Sequence, residues 1–362
     1  MAWQSKVVWS EGMLLQPQHL QQHDRYLATQ LEARVGALRP YAWGVSRLEI
    51  DEQALALGKL AVVAFSGVLP DGTPVGAPGD DELPLPIDIP PDARDVTIVL
   101  ALPVRRHGVP EVDDGHGLEN FARHRSDEVE VWDSNGLDSS AQVTVGKLRL
   151  RLALASEVAD AWVTLGVARV IERRADNWVV LDPAYCPPAL DVRAAPALKG
   201  FLDELLGLLH QRGEALAARL AQPAGAGAAD IADFLLLQLL NRSQPLVAHL
   251  AGMSGLHPEA LYRELVRLAG ELATFTRADK RPGPYPVYRH DALDASFAPL
   301  MLDLRRSLSA VMDPHAVPIP LEERQFGIRV AVLPDRALLH SATFVLAVQA
   351  QLAPEAGRAG FP

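Results

Sequence analysis

Apolar positions change their period twice along this 362-residue chain, and each change marks a change of secondary structure. At the N-terminus Trp3, Val7, Val8, Trp9, Met13, Leu14 and Leu15 crowd together with no clean period. Pro17 then suits the first turn of a helix, where a missing N–H costs nothing. Leu20, Leu27, Leu31, Val35 and Leu38 recur at helical spacing, and Pro40 stops the run. From Tyr41 to about Pro183 the pattern is that of strands: 43–51, 54–65, 95–102, 127–133, 142–154, 162–171 and 177–182. Within 142–154, Val143 and Val145 hold one phase while Leu148, Leu150, Leu152 and Leu154 hold the other. That switch predicts a bulge or break at Gly146. Gly/Pro-rich pieces separate the runs, and Asp71-Gly72 marks a tight turn. Many short strands punctuated in this way predict a sandwich rather than βαβ units.

A Pro-rich linker, 183–196, ends the strand region, and a helical period follows for more than a hundred residues. Leu198, Leu202, Leu205, Leu209, Leu216 and Leu220 form one stripe. Ile231, Leu235, Leu239, Leu246 and Leu250 form a second, with Pro245 expected to kink or split its helix. Leu261, Leu265, Leu268, Leu272 and Phe275 form a third, and Leu293, Phe297, Leu300, Leu304, Leu308 and Val311 a fourth. Steps of three, four and seven are those of a bundle seam, so a four-helix bundle is expected. Asp230 is a candidate cap for the second of these helices, after the Gly/Ala-rich connection PAGAGAAD. Leu206, Leu208, Leu236 and Leu237 fall outside the stripes and suggest an intermolecular seam. Asp313-Pro314 closes the last helix, and 317–362 turns strand-like again, as the start of a third domain. The expected organisation is therefore 1–183, 197–313 and 317–362, a multidomain α+β chain.

Charge and cysteine usage narrow the functional classes. The formal net charge is -11, and no Lys/Arg cluster is dense enough to grip phosphates, so nucleic-acid binding is not expected. A single cysteine, Cys186, excludes a disulfide within the chain and a Cys-based zinc site. The N-terminus lacks a signal peptide's basic start and apolar stretch, and no run reaches a membrane span of about 18–20 apolar residues. A cytoplasmic location is the expectation.

Candidate chemistry is sparse. His19 and His23 share a helix face, but the glutamate of a zinc-protease motif is absent. The segment 105–125 gathers His107, Glu111, Asp113, Asp114, His116 and His124, either a metal or acid–base cluster or a polar loop between strands. Ser254, in GMSG between two helices, lacks the strand-to-helix context of a nucleophile elbow. No catalytic residue, cofactor or metal is expected from these patterns. The Trp-rich N-terminus reads either as an edge strand or as an adhesive surface, since indole and methionine concentrate at interfaces.

Several of these stretches together resemble one family. The opening KVVWSEGMLLQPQHLQQHDRY (6–26) resembles the N-terminal signature of the type VI secretion baseplate family TssK. The resemblance continues through LLQLLNRSQPLVAHL (236–250), HPEALYRELVRLAGELATF (257–275), YPVYRHDALDASFAPLMLDLRRSL (285–308) and IPLEERQFGIRV (319–330). It implies an N-terminal β-sandwich shoulder like that of phage receptor-binding proteins, a four-helix-bundle neck and a C-terminal α/β or β-rich head longer than 317–362. It also implies a homotrimer that links a TssF–TssG wedge to the cytoplasmic parts of the membrane-complex subunits TssM and TssL through a complete head. Val8, Trp9, Met13, Leu14 and Leu15 are then the expected wedge-docking residues. A metal- or acid–base-dependent enzyme using 105–125 is the alternative from another class.

Overall fold

The structure, a computed structural model, describes residues 4–113, 121–136, 139–221, 228–309, 319, 321–325, 328–333, 339 and 344. Expectations placed on Trp3, Asp114, His116, Val311, Asp313, Pro314, the 222–227 connection and most of 334–362 lie outside those residues. The fold is mixed α+β. Helix α1 (Pro17–Leu38) opens with Pro17 at its first position, as its backbone chemistry favours. Strand β1 (Gly44–Ile50) follows, then a five-residue helix α2 (Glu52–Ala56). The 54–65 run is thus not one strand. The Asp51 carboxylate accepts hydrogen bonds from the N–H groups of Gln53 (2.8 Å) and Ala54 (3.3 Å), a cap that turns the first residues into helix.

The next strands are β2 (Lys59–Leu60), β3 (Val62–Val68), β4 (Pro74–Ala77), β5 (Ile87–Asp88) and β6 (Arg94–Pro103). Strand β1 pairs with β3, and β3 with β4, all antiparallel, through the tight turn at Asp71-Gly72. Gly72 has a positive φ of 81°, and its N–H reaches the Leu69 carbonyl at 2.9 Å. Strand β6 lies between β10 (Arg151–Leu154) and β11 (Trp162–Arg173), with β12 (Val179–Leu181) beyond. Residues Ile98 to Pro103 are all buried. Successive side chains point to opposite faces, so β6 is covered on both.

The remaining strands are β7 (Val112–Asp113), β8 (His124–Trp132) and β9 (Ser140–Leu148). Strand β7 pairs parallel with the start of β8 (Val112↔His124, Asp113↔Arg125), and β8 pairs antiparallel with β9 in a ribbon whose register runs unbroken from His124↔Leu148 to Trp132↔Ser140. Gly146 pairs with Ser126 inside it, so the predicted break is not there. The chain leaves the ribbon at Arg149–Leu150 and joins β6 from Arg151. The change of phase reflects a change of sheet, not a bulge.

The Pro-rich linker is buried rather than solvated: Cys186, Pro187, Pro188 and Ala189 are all interior. The Val45 N–H donates to the Pro188 carbonyl and the Leu190 N–H to the Val45 carbonyl, each at 2.8 Å. Gly44, at φ 129°, permits this approach, because a Cβ there would sit 2.8 Å from the Pro188 oxygen.

Helices α3 (Pro196–Leu220), α4 (Ala228–Gly252), α5 (Pro258–Thr276) and α6 (Leu293–Ser309) follow. Helix α3 packs on α4 and α6, and α5 packs on α4 and α6, closing a ring of four. Three of the predicted stripes are buried, Leu220 and Phe275 only partly. The α4 stripe holds only in its later part: Leu239 is buried and Leu250 packs against the core, whereas Ile231 (64% exposed) and Leu235 (48%) face outward and Leu236, Leu240, Ser243 and Val247 face in. Asp233 pairs with Arg219 of α3 on that inner side. Leu236 therefore belongs to the chain's own core and is not available for an intermolecular seam. Pro245 is accommodated within α4, which is not split, and Asp230 lies inside the first turn rather than capping it. Strands β13 (Leu321–Glu323) and β14 (Arg329–Ala331) form a short hairpin after the helices.

One continuous core runs from Val45 to Leu308, through both the strands and the helices. Polar contacts reinforce the junction. His257 directs Nε2 at the Tyr41 carbonyl (3.1 Å), and its Nδ1 accepts from the Glu259 N–H (3.1 Å). His290 directs Nε2 at the Trp43 carbonyl (2.7 Å) and Nδ1 at the Tyr288 hydroxyl (2.7 Å). Both imidazoles are therefore neutral with the proton on Nε2. The rings stack with centroids 5.2 Å apart, and Trp43 meets His290 edge-on at 4.7 Å. Burial, first, pushes both histidines down, His290 to about 4. Arg169 on β11 completes the joint by bridging Asp182 (3.2 Å) and Asp294 (2.6 Å) at the start of α6.

Candidate docking site

The N-terminal segment forms no strand among its described residues, and it lies along α1. The Gln22 side-chain amide donates to the Ser5 carbonyl at 2.7 Å. Trp9 folds back over the first turns of α1, with ring centroids 6.3 Å from His19 and 6.1 Å from His23. The Gln16 N–H donates to His19 Nδ1 at 3.1 Å, so His19 serves the start of the helix. The two histidines are thus aromatic and polar support for Trp9 and the helix end.

Val7 is buried, whereas Val8 (78%), Leu15 (59%), Leu14 (78%) and Trp9 (47%) are exposed and Met13 is half-buried. The segment therefore brings Val8, Trp9, Met13, Leu14 and Leu15 together as one apolar strip next to a helix. What sequence reasoning missed is that α1 is part of the same surface. Helix α1 has no buried residue, and its stripe of Leu20, Leu27, Leu31, Val35 and Leu38 points outward. No α1 side chain joins the core or packs against it. Between α1 and the β3–β4 turn lies a cleft of about 530 Å³, floored by Trp43, Val68 and Pro70. The signal was present in the sequence: the stripe continues an aperiodic apolar segment rather than facing a strand run.

The 105–125 segment is arranged differently. Asp113 pairs with Arg149 at 3.3 Å, and His124 Nδ1 faces the Glu111 carbonyl at 3.4 Å. Burial lowers the His124 pKa, with the Glu111 carbonyl opposing. Arg123 is fully buried and ties three elements, reaching the Pro103 carbonyl at 2.7 Å and both Asp71 and Thr73. These polar groups hold the β3–β4 turn and β6 to the base of the ribbon. No group of three His, Cys, Asp or Glu fit to hold a metal occurs among the described residues. Burial, first, raises the Cys186 thiol to about 12, so it stays protonated and packs as an apolar group. Ser254 lies in the turn between α4 and α5. Among the described residues no helix is long and apolar enough to cross a membrane.

Residues 19–362 match the family described as bacterial type VI secretion, EvfL, ImpJ and VasE. The whole chain is 50% identical to the type VI secretion system baseplate component TssK1 of Pseudomonas aeruginosa, of which it covers 82%. The chain belongs to the TssK family. A crystal structure of TssK superposes with a TM-score of 0.81 at 41% identity, covering 93% of this chain and 76% of that one. The TssK of a TssK–TssF–TssG baseplate subcomplex superposes with a TM-score of 0.75 at 33% identity, covering 84% and 99%. These likenesses match the TssK resemblance carried by the sequence, and the α+β class matches the fold.

Proposed function

We propose that this chain is a non-catalytic subunit of a type VI secretion baseplate, working as a homotrimeric connector at the cytoplasmic side of the membrane complex. Its strand-rich part, 1–183, acts as a sandwich-like shoulder related to phage receptor-binding proteins. The helices of 197–313 act as a neck, and 317–362 begins a head. Val8, Trp9, Met13, Leu14 and Leu15 dock on a TssF–TssG wedge, and a complete head reaches the cytoplasmic parts of TssM and TssL. The observation that carries the reading is identity of 50% across the full chain to a baseplate component, TssK1. The exposed N-terminal strip agrees with it, since a connector needs separated adhesive surfaces and no reacting group.

The test is assembly. Light scattering on the purified chain should give about three times 39.2 kDa, and tagged chain should retain co-expressed TssF–TssG. A monomer at micromolar concentration, or no retention of the wedge, overturns the proposal. Stoichiometric bound transition metal lost on His107→Ala would move the reading to the enzyme class.

A further inference from the structure

Where the base of the β8–β9 ribbon meets β10 and β11, the chain forms a groove of about 700 Å³, a size that ligand sites commonly have. It shares no residue with the N-terminal strip or with the cleft beside α1. Five ionisable residues among the described ones line it, and four are basic: Arg125, Lys147, Arg149 and Arg151, against Glu82. In a chain of net charge -11 that is a local reversal of sign. Arg125 pairs with Glu82, and Arg149 with Asp113 at 3.3 Å. Lys147 donates to the Asp80 backbone carbonyl at 2.6 Å, and the Arg151 guanidinium lies 3.7 Å from the centre of the Trp162 ring. Neither of these two cations has a carboxylate partner among the described residues. The Asp80 and Asp81 carboxylates do not line the groove; both lie beside Gly76, whose N–H donates to Asp81 at 3.0 Å. The rest of the lining is apolar. Trp162 meets Phe121 edge-on at 6.1 Å, and Leu85 is 84% exposed.

We propose that this groove docks an acidic segment of a partner protein that carries an aromatic side chain. The segment's carboxylates meet Lys147 and Arg151, the two cations left unmatched, and its ring packs against Phe121, Trp162 and Leu85. Arginine and aromatic side chains in one concave patch are the composition that marks the energetic centre of protein interfaces. The Arg151 guanidinium is already stacked on Trp162, so little of its freedom is lost when it binds a carboxylate. The Arg125–Glu82 pair, with both side chains about half exposed, is weak enough to exchange Glu82 for a carboxylate of the partner. A nucleic acid needs a longer basic track than two unmatched cations supply. The proposal stands apart from the baseplate reading, because it rests on the groove alone.

Fluorescence anisotropy of the full chain with a labelled octapeptide of alternating glutamate and phenylalanine tests it. Binding should saturate and weaken as salt is raised. Arg151→Glu should weaken it by about tenfold or more, and Arg151→Lys should keep most of it. Leu85→Glu should also weaken it and Leu85→Lys strengthen it, both at an unchanged melting temperature, because Leu85 is exposed and its loss leaves no cavity. The Leu85 pair decides the matter if Arg151→Glu fails to fold. Absence of binding overturns the proposal, as does equal binding of a lysine–phenylalanine or a glutamate–alanine octapeptide, or full binding by both glutamate variants. Tighter binding of labelled oligothymidylate or of anionic lipid vesicles would assign the groove to nucleic acid or to membrane instead. A lower mass of Leu85→Glu than of wild type in light scattering would mean that a second copy covers the groove, which likewise overturns it.

Discussion

The joint around His257 and His290 and the N-terminal surface around Trp9 are built from the same residue types to opposite ends. At the joint, aromatic rings, imidazoles and prolines are buried, and the polar atoms described above have partners within the chain. At the N-terminus, tryptophan, histidine and leucine stand on a helix that buries nothing. Aromatic content alone therefore does not separate core from interface; satisfaction within the chain does.

The difference is sharpest for a buried ring. Phe297 is fully buried on α6, against Tyr262 at 5.2 Å and Tyr288 at 6.5 Å. Phe297→Ala should cost about 3–5 kcal/mol of stability, read as a lower denaturation midpoint. A change below about 1 kcal/mol would mean the joint relaxes freely and is not stiff.

Protonation should loosen the same joint. His290 has a folded pKa of about 4, below its ordinary 6.5 because burial disfavours the cation, and His257 is shifted in the same direction. The unfolded chain therefore binds protons that the folded chain refuses. This stabilisation is full above about pH 6.5 and is lost as pH falls toward 4, to a limit of about 3 kcal/mol for His290. Denaturant titrations at stepped pH should show the slope, and His290→Gln should flatten it. An unchanged slope in the variant would remove His290 as the sensor.

On the other surface, Trp9→Ala should reduce affinity for TssF–TssG by about 2–4 kcal/mol, roughly thirty- to a thousandfold, at an unchanged melting temperature. A large fall in melting temperature, or full retention of the wedge, would place Trp9 with the core and erase the contrast.

How much of this was legible depended on whether an element's face was decided locally. Strand β6 and the stripes of α3, α5 and α6 followed from period and proline placement, because their apolar faces meet the core directly; the existence of α1 followed from the same signals, although its apolar face points away from the core. The α4 face followed only in part, since two overlapping apolar stripes compete there and periodicity does not say which turns toward the neighbouring helices. Residues 54–56 were misread as strand because the apolar run was read straight through them, although alanine and leucine favour a helix and Asp51 caps it with two bonds. The 183–196 linker was legible as the end of the strand region but not as core, because the burial of 186–189 depends on Gly44 admitting the Pro188 carbonyl. Of the candidate site, the residues from Val8 to Leu15 stood out by density alone. The outward turn of α1 did not, because periodicity identifies a face and not what it meets.

The smallest expected effect concerns a hydrogen bond that anchors the N-terminal segment far from its own sequence neighbours. The Gln22 amide holds the Ser5 carbonyl across 17 residues on an exposed surface, where a hydrogen bond contributes about 0.5–1.5 kcal/mol net. Gln22→Ala should therefore raise local opening of residues 5–16 by up to about tenfold without moving the global transition, because the segment opens independently of the core. Amide hydrogen exchange of the isolated protein separates the two: faster exchange confined to the first turn of α1 and the segment before it, with the protection of α5 and α6 unchanged. Faster exchange at the joint as well would show that the N-terminal surface and the core open together, and the division between a finished and an unfinished half of the molecule would fail.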